Sequence, residues 1–174
     1  MTLKPSIGVY YYPEHWPEKI WQKDAFEMKE AGISWVRIAE FAWSRIEPRE
    51  GDFNFGWLDK VISILTKNNL NIVMCTPTAT PPKWVVDKMP DMLPVDEYGI
   101  VKNFGSRRHY DFSHSGYIKE ASRITEIISK RYGECSSVKA WQTDNEYGCH
   151  DTVLSYSKAS LDKFRIWLKK KYDS

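Results

Sequence analysis

Four short apolar runs, each set off by turn residues and separated by stretches of helical period, limit what this chain can fold into more than any other feature. Ile7 to Tyr12 is β-branched and aromatic and is stopped by Pro13. Ile33 to Ile38 follows Gly32, Asn71 to Cys75 follows Asn68-Asn69, and Val138 to Trp141 follows Gly133 and Ser136-Ser137. Between the first two runs, Trp21, Ala25 and Met28 fall at helical spacing, with Pro17 suited to a first helical turn. Leu58, Val61, Ile62 and Leu65 mark a second amphipathic helix, and Tyr117, Ala121, Ile124 and Ile128 a third that stops at Gly133. Leu161, Phe164 and Leu168 mark one more after the last run. Strands alternating with helices imply a parallel sheet with right-handed crossovers. The expected fold class is therefore α/β. Four βα units amount to half of a (β/α)₈ barrel, and such barrels typically need about 250 residues. The 174 residues here imply a fragment, an open sheet, or a half that pairs with another.

The remaining segments read as connections. Thr76 to Pro82 is too rich in proline to continue a strand or a helix, with a short helix expected around Lys83 to Asp87. Met89 to Ser113 shows little period and forms a long excursion, and loops of that length in compact domains are more often functional than idle. No linker or repeat divides the chain, so residues 1–174 are expected to form one domain with ample apolar content for a core. A net charge of +2 gives no electrostatic argument for nucleic acid or an anionic membrane surface. No apolar run approaches membrane-spanning length. Most of the eight Trp and ten Tyr are expected to be ordinary core residues, while aromatic rings beyond what a core needs often line pockets for the flat apolar faces of sugars. Cys75, Cys135 and Cys149 are widely spaced and in no C-x-x-C arrangement, which points to neither a disulfide framework nor a zinc site. The N-terminus lacks the apolar segment of a signal peptide, and a reduced cytoplasmic setting is expected.

The stretch Trp141-Gln142-Thr143-Asp144-Asn145-Glu146-Tyr147-Gly148 carries the chemistry. It begins in an apolar run that reads as a buried parallel strand, so Asn145 and Glu146 fall where strand gives way to loop. In an α/β barrel the active site is built from the strand ends on that face. A glutamic acid there can protonate a leaving glycosidic oxygen, while a neighbouring amide binds a sugar hydroxyl through bonds that tighten in the transition state. An isolated Asn-Glu pair is more often a polar loop with a helix cap, so other parts of the chain must decide.

Five motifs do so. Gly8-Val9-Tyr10-Tyr11-Tyr12-Pro13-Glu14-His15-Trp16, the run from Val36 to Pro48, Thr78-Ala79-Thr80-Pro81-Pro82-Lys83-Trp84, Gly105-Ser106-Arg107-Arg108-His109-Tyr110 and Trp141 to Gly148, in this order and spacing, resemble the opening of a glycoside hydrolase family 42 β-galactosidase. The resemblance implies a TIM-barrel catalytic domain, of which the first four βα units are present, and retaining hydrolysis of terminal β-D-galactosides. It assigns Glu146 the acid/base role and Asn145, Arg107 and Arg37 contacts to the sugar. Arginine suits such contacts because its planar fork holds two oxygens at once. His109 and Trp43 are expected to be structural.

There are two departures from the family pattern. Some members bind zinc through four cysteines, one of them directly after the His-Tyr of the arginine motif. Asp111 stands there in this chain, so no zinc and no cofactor are expected. A retaining glycosidase also needs a second carboxylate about 5 Å from the acid as nucleophile. The family supplies it from a later strand, and neither Glu14, Glu40 nor Glu47 matches it, so the nucleophile is expected outside this chain. An isolated half barrel is further expected to associate with itself or to depend on a complementing C-terminal half, because its sheet edges and inward strand faces lack partners.

Overall fold

The computed structural model describes residues 5–105, 108–147 and 153–172. Its four strands are β1 (Gly8–Tyr10), β2 (Trp35–Ile38), β3 (Asn71–Cys75) and β4 (Val138–Gln142). They form one wholly parallel sheet in the order β1-β2-β3-β4. The helices are α1 (Trp21–Glu30), α2 (Trp43–Ile46), α3 (Gly56–Lys67), α4 (Lys83–Lys88), α5 (Ser115–Tyr132) and α6 (Lys158–Tyr172). Sequential strands joined by helices in this order are the first half of a (β/α)₈ barrel.

The period of two along each strand divides the sheet into unlike faces. Val36, Ile38, Ile72 and Met74 are fully buried and pack with Ala25 of α1, Leu58, Val61 and Leu65 of α3, and Ile124 and Ile128 of α5. Tyr10, Arg37, Val73 and Ala140 lie in one row across the four strands on the opposite face. That face is only partly covered, and Tyr10 is 68% exposed. A register shift at Ile72/Val73 lets β4 take up one extra residue against β3.

One sequence expectation needs correction. The last run was expected to be a buried strand, but β4 is an edge strand with Lys139 and Trp141 exposed, because its second side has no neighbour among the described residues. Gly133 does end α5, but in helical conformation (φ −61°) rather than the left-handed one of a glycine cap. The chain is crowded there instead: a Cβ at this position would meet the Ser129 carbonyl oxygen at 2.6 Å. Gly32 after α1 does take the left-handed conformation, at φ +79°. Helix α2 and several single 3₁₀ turns had no periodic signal, being too short to show one. Helix α6 forms as expected but none of its residues is buried, with Phe164, Ile166 and Trp167 all at least half exposed.

An ionic cluster clamps the outer layer. The Glu47 carboxylate is wholly buried and accepts from the Trp43 indole (3.0 Å), the Gly51 amide (2.8 Å) and the Arg123 guanidinium of α5 (2.8 Å). Arg123 also binds Glu120 (2.7 Å), which takes Lys88 of α4 at 3.1 Å. A carboxylate without exposure is tolerable only when charged and polar partners replace water. Arg123→Ala removes the only cation bonded to Glu47 among the described residues and should destabilise the fold by about 3 kcal/mol in denaturant melts. Arg49→Ala, which breaks an exposed pair with Asp52, should change it by less than about 0.5 kcal/mol.

Candidate active site

All candidate residues that the structure describes sit at the C-terminal ends of the strands. A line of hydrogen bonds runs across that end of the sheet. Tyr12, just past β1, donates to Glu40 Oε2 at 2.9 Å. Arg37 of β2 donates through Nη2 to the same oxygen at 2.6 Å and through Nη1 to Gln142 Oε1 of β4, also at 2.6 Å. Gln142 in turn donates to the Asp144 carbonyl at 2.9 Å and the Asn145 side-chain oxygen at 3.4 Å. The Arg37 guanidinium lies 4.2 Å from the centre of the Tyr10 ring, a cation–π contact that occupies its remaining face. Arg37 and Asn145, assigned to the sugar by motif alone, are thus joined through one glutamine.

Glu40 is only 2% exposed, and two donors bond its Oε2. The Tyr12 ring stacks between His15 (5.4 Å) and Phe41 (6.0 Å). Burial, reinforced by the Glu40 carboxylate, raises the Tyr12 hydroxyl above its ordinary pKa, so it stays a donor. Beyond Phe41 a cleft of about 240 Å³ opens between Pro81, Pro82, Phe104 and His109. Its mainly apolar walls suit the flat face of a ring.

The turn after β4 is unusual in its backbone. Asp144 (φ 58°) and Glu146 (φ 49°) both adopt left-handed conformations, with buried Asn145 between them and the Glu146 side chain exposed. The Arg108 guanidinium donates to the Glu146 carbonyl. Arg107 lies outside the described residues. Trp43 and His109 are buried: the Trp43 indole donates to Glu47, and His109 Nε2 lies 3.0 Å from the Pro81 carbonyl oxygen. Cys75 ends β3 close to this face, but burial pushes its thiol up to about 12, which keeps it from acting as a nucleophile.

Asp111, at the position of the family's zinc cysteine, is committed elsewhere. It is buried and accepts from the Ser113 amide (2.7 Å), the Ser160 hydroxyl (2.9 Å) and the Ser157 hydroxyl, which ties the loop to the start of α6. Cys149 lies outside the described residues. Among the described residues no group of three His, Cys, Asp or Glu side chains could hold a metal ion. No helix among them is long and apolar enough to cross a membrane.

Sequence reading missed Gln142, Asp144 and Tyr110 as members of the site, although all three lie inside quoted motifs. Their role depends on which strand ends become neighbours, and Arg37 and Gln142 are 105 positions apart. Glu40 and Tyr12 were visible as strand-end residues; what could not be read was that they share a hydrogen bond.

Four parallel βα units with the candidate residues at the C-terminal strand ends are the layout of the first half of an α/β-barrel domain. Residues 10–174 match the family described as "Beta-galactosidase", and the chain belongs to glycoside hydrolase family 42. It is 52% identical to a β-galactosidase of Thermus thermophilus over 166 residues, 95% of this chain and 26% of that protein. The crystal structure of the β-galactosidase from the psychrophilic Marinomonas ef1 superposes with a TM-score of 0.96 at 52% identity, covering 98% of this chain and 26% of the other. That of the polyextremophilic enzyme from Halorubrum lacusprofundi gives 0.94 at 46% identity, covering 97% and 25%. The chain therefore spans about a quarter of the length of these relatives.

Glu14 offers a test of this strand-end electrostatics. Both its carboxylate oxygens are buried without a donor from another residue among the described residues. Burial raises its pKa above 4.5, opposed by its own backbone amide, His15 and Arg45, with the Glu40 charge adding a little to the rise. A raised carboxyl pKa means that its contribution to stability is fully present below about pH 4.5 and is lost as pH rises through the folded value. Glu14→Gln should accordingly raise the melting temperature at pH 7–8 and leave it unchanged near pH 4, as read by calorimetry.

Proposed function

We propose that this chain supplies the acid/base half of a β-galactosidase catalytic domain spanning residues 1–174, acting on terminal non-reducing β-D-galactosides with retention. Glu146 protonates the glycosidic oxygen in the first step and deprotonates water in the second, while a second carboxylate attacks the anomeric carbon. Asn145, Arg37 and Arg107 bind the galactose hydroxyls. The nucleophile comes from outside these 174 residues, carried by a complementing C-terminal half that also covers the open face of the sheet and its β4 edge. The observation that carries this reading is the placement of Asn145-Glu146 at the end of β4, one glutamine away from Arg37, in a chain of family 42.

The carboxylates within the chain support the division of labour. Glu40 is engaged by Arg37 and Tyr12, and Glu47 is sealed in the outer ionic cluster with no exposure. A carboxylate sealed by donors on both oxygens, as Glu47 is, makes a poor nucleophile because attack would strip it of those partners. Sugar binding without turnover is the second reading for the isolated chain, favoured by the same observation.

The test is hydrolysis of nitrophenyl glycosides by the 174-residue chain alone and co-expressed with the downstream three quarters of the Marinomonas enzyme. The chain alone should be inactive, and the completed barrel should prefer galactoside over glucoside and mannoside. Glu146→Gln in the completed barrel should lower kcat by about 10²–10⁴-fold. Preference for another sugar would contradict the substrate assignment, and full activity of Glu146→Gln would contradict the role of Glu146.

A further inference from the structure

We propose that Tyr110 and Asp144 are positioning residues for the Asn145-Glu146 turn, so that the loop before α5 aims the acid. The inference rests on the reading of Glu146 given above, but its geometry is independent of that reading.

Two non-glycine residues in left-handed conformation within three positions need a reason. Asp visits that region with modest strain, but Glu does so rarely, and each such residue persists only where its surroundings over-determine it. Here the surroundings converge on one carboxylate. Asp144 Oδ1 accepts the Asn145 amide at 2.6 Å and the Tyr110 hydroxyl at 2.9 Å. Its Oδ2 accepts the Thr78 hydroxyl at 2.9 Å and lies 3.0 Å from the same Tyr110 hydroxyl. The Asp144 amide donates to Thr76 Oγ1 at 2.8 Å. The turn is therefore pinned to the end of β3 through two threonines and to the 108–114 loop through one tyrosine.

Tyr110 is itself held. It is 1% exposed and stacks on Tyr117 of α5 with ring centres 4.3 Å apart. Tyr117 in turn donates to the Thr78 carbonyl at 2.9 Å, which closes a circuit through β3, α5 and the loop. Burial and then the Asp144 charge raise the Tyr110 hydroxyl above its ordinary pKa, with Arg108 opposing, so it is a proton donor at neutral pH. Arg108, two residues earlier, donates to the Glu146 carbonyl, so one loop grips the turn before and after Asn145. Neither Tyr110 nor Asp144 need touch substrate. Their effect is to fix where the Glu146 side chain starts, and a displacement of about 1 Å at such a group can lower turnover by about 10²-fold.

The experiment uses the full 174-residue chain with Tyr110→Phe, which removes a single hydroxyl, and Asp144→Asn, which keeps a residue tolerant of left-handed backbone but weakens its capacity to accept. Amide hydrogen exchange at Asn145 and the ¹³C titration of the Glu146 carboxyl, followed by NMR, should both change in each variant. Exchange at Asn145 is expected to quicken at least about tenfold, the loss of about one net hydrogen bond, while exchange at Val36 and Ile72 in the core stays within about twofold of the parent. Unchanged exchange and titration at the turn would overturn the proposal, and so would a uniform loss of protection that includes the core. In the completed barrel, kcat should fall about 10–100-fold with KM nearly constant. If the unsubstituted completed barrel hydrolyses no galactoside, the galactosidase reading fails, and the exchange measurement still decides the positioning role.

Discussion

The site depends on how the sheet accommodates one cation on its polar face. Arg37 stands in the row of Tyr10, Val73 and Ala140, opposite the apolar core, and its guanidinium must find acceptors on that face. Glu40 and Gln142 supply them, and the Tyr10 ring covers one side of the plane. Because Gln142 belongs to β4, this one charge spans three strands and sets the position of the turn that carries Asn145 and Glu146. The strand register determines the chemistry here: shifting β4 by one residue would turn Gln142 away and remove the second acceptor.

A second charged cluster does different work. Glu47, Arg123, Glu120 and Lys88 join the loop after β2 to α4 and α5 on the outer side of the sheet. The inner network is open, with Glu146 exposed beside it, whereas the outer one is closed around a carboxylate with no exposure. That contrast separates the groups that can meet a ligand from those that hold the layers together.

The fold was largely readable because the signals were local. The third strand was placed to the residue, and α3 and α5 followed their apolar stripes to within a turn. Expectation failed where the outcome depends on distant partners. A short apolar run such as Val138 to Trp141 cannot reveal whether it is central or at an edge, since that is fixed by which strands lie alongside. The site divided in the same way. Glu146, Asn145 and Arg37 are candidates from motifs, whereas Gln142, Asp144 and Tyr110 come into view only through hydrogen bonds between distant positions, as across the 34 between Tyr110 and Asp144. The left-handed backbone at Glu146 had no sequence signal, because glutamate is seldom found there.

The central proposal is that Glu146 gives a proton to the glycosidic oxygen and then takes one from the attacking water. The most direct measurement is the effect of Glu146→Ala, in the completed barrel, on substrates whose leaving groups need protonation to different degrees. Hydrolysis of unsubstituted phenyl β-galactoside should collapse, while formation of the glycosyl-enzyme from dinitrophenyl β-galactoside, which departs without a proton, should persist. Added azide should then restore turnover of the dinitrophenyl substrate and yield the β-galactosyl azide. An equal loss on both substrates with no rescue by azide would contradict the assignment and place the acid elsewhere.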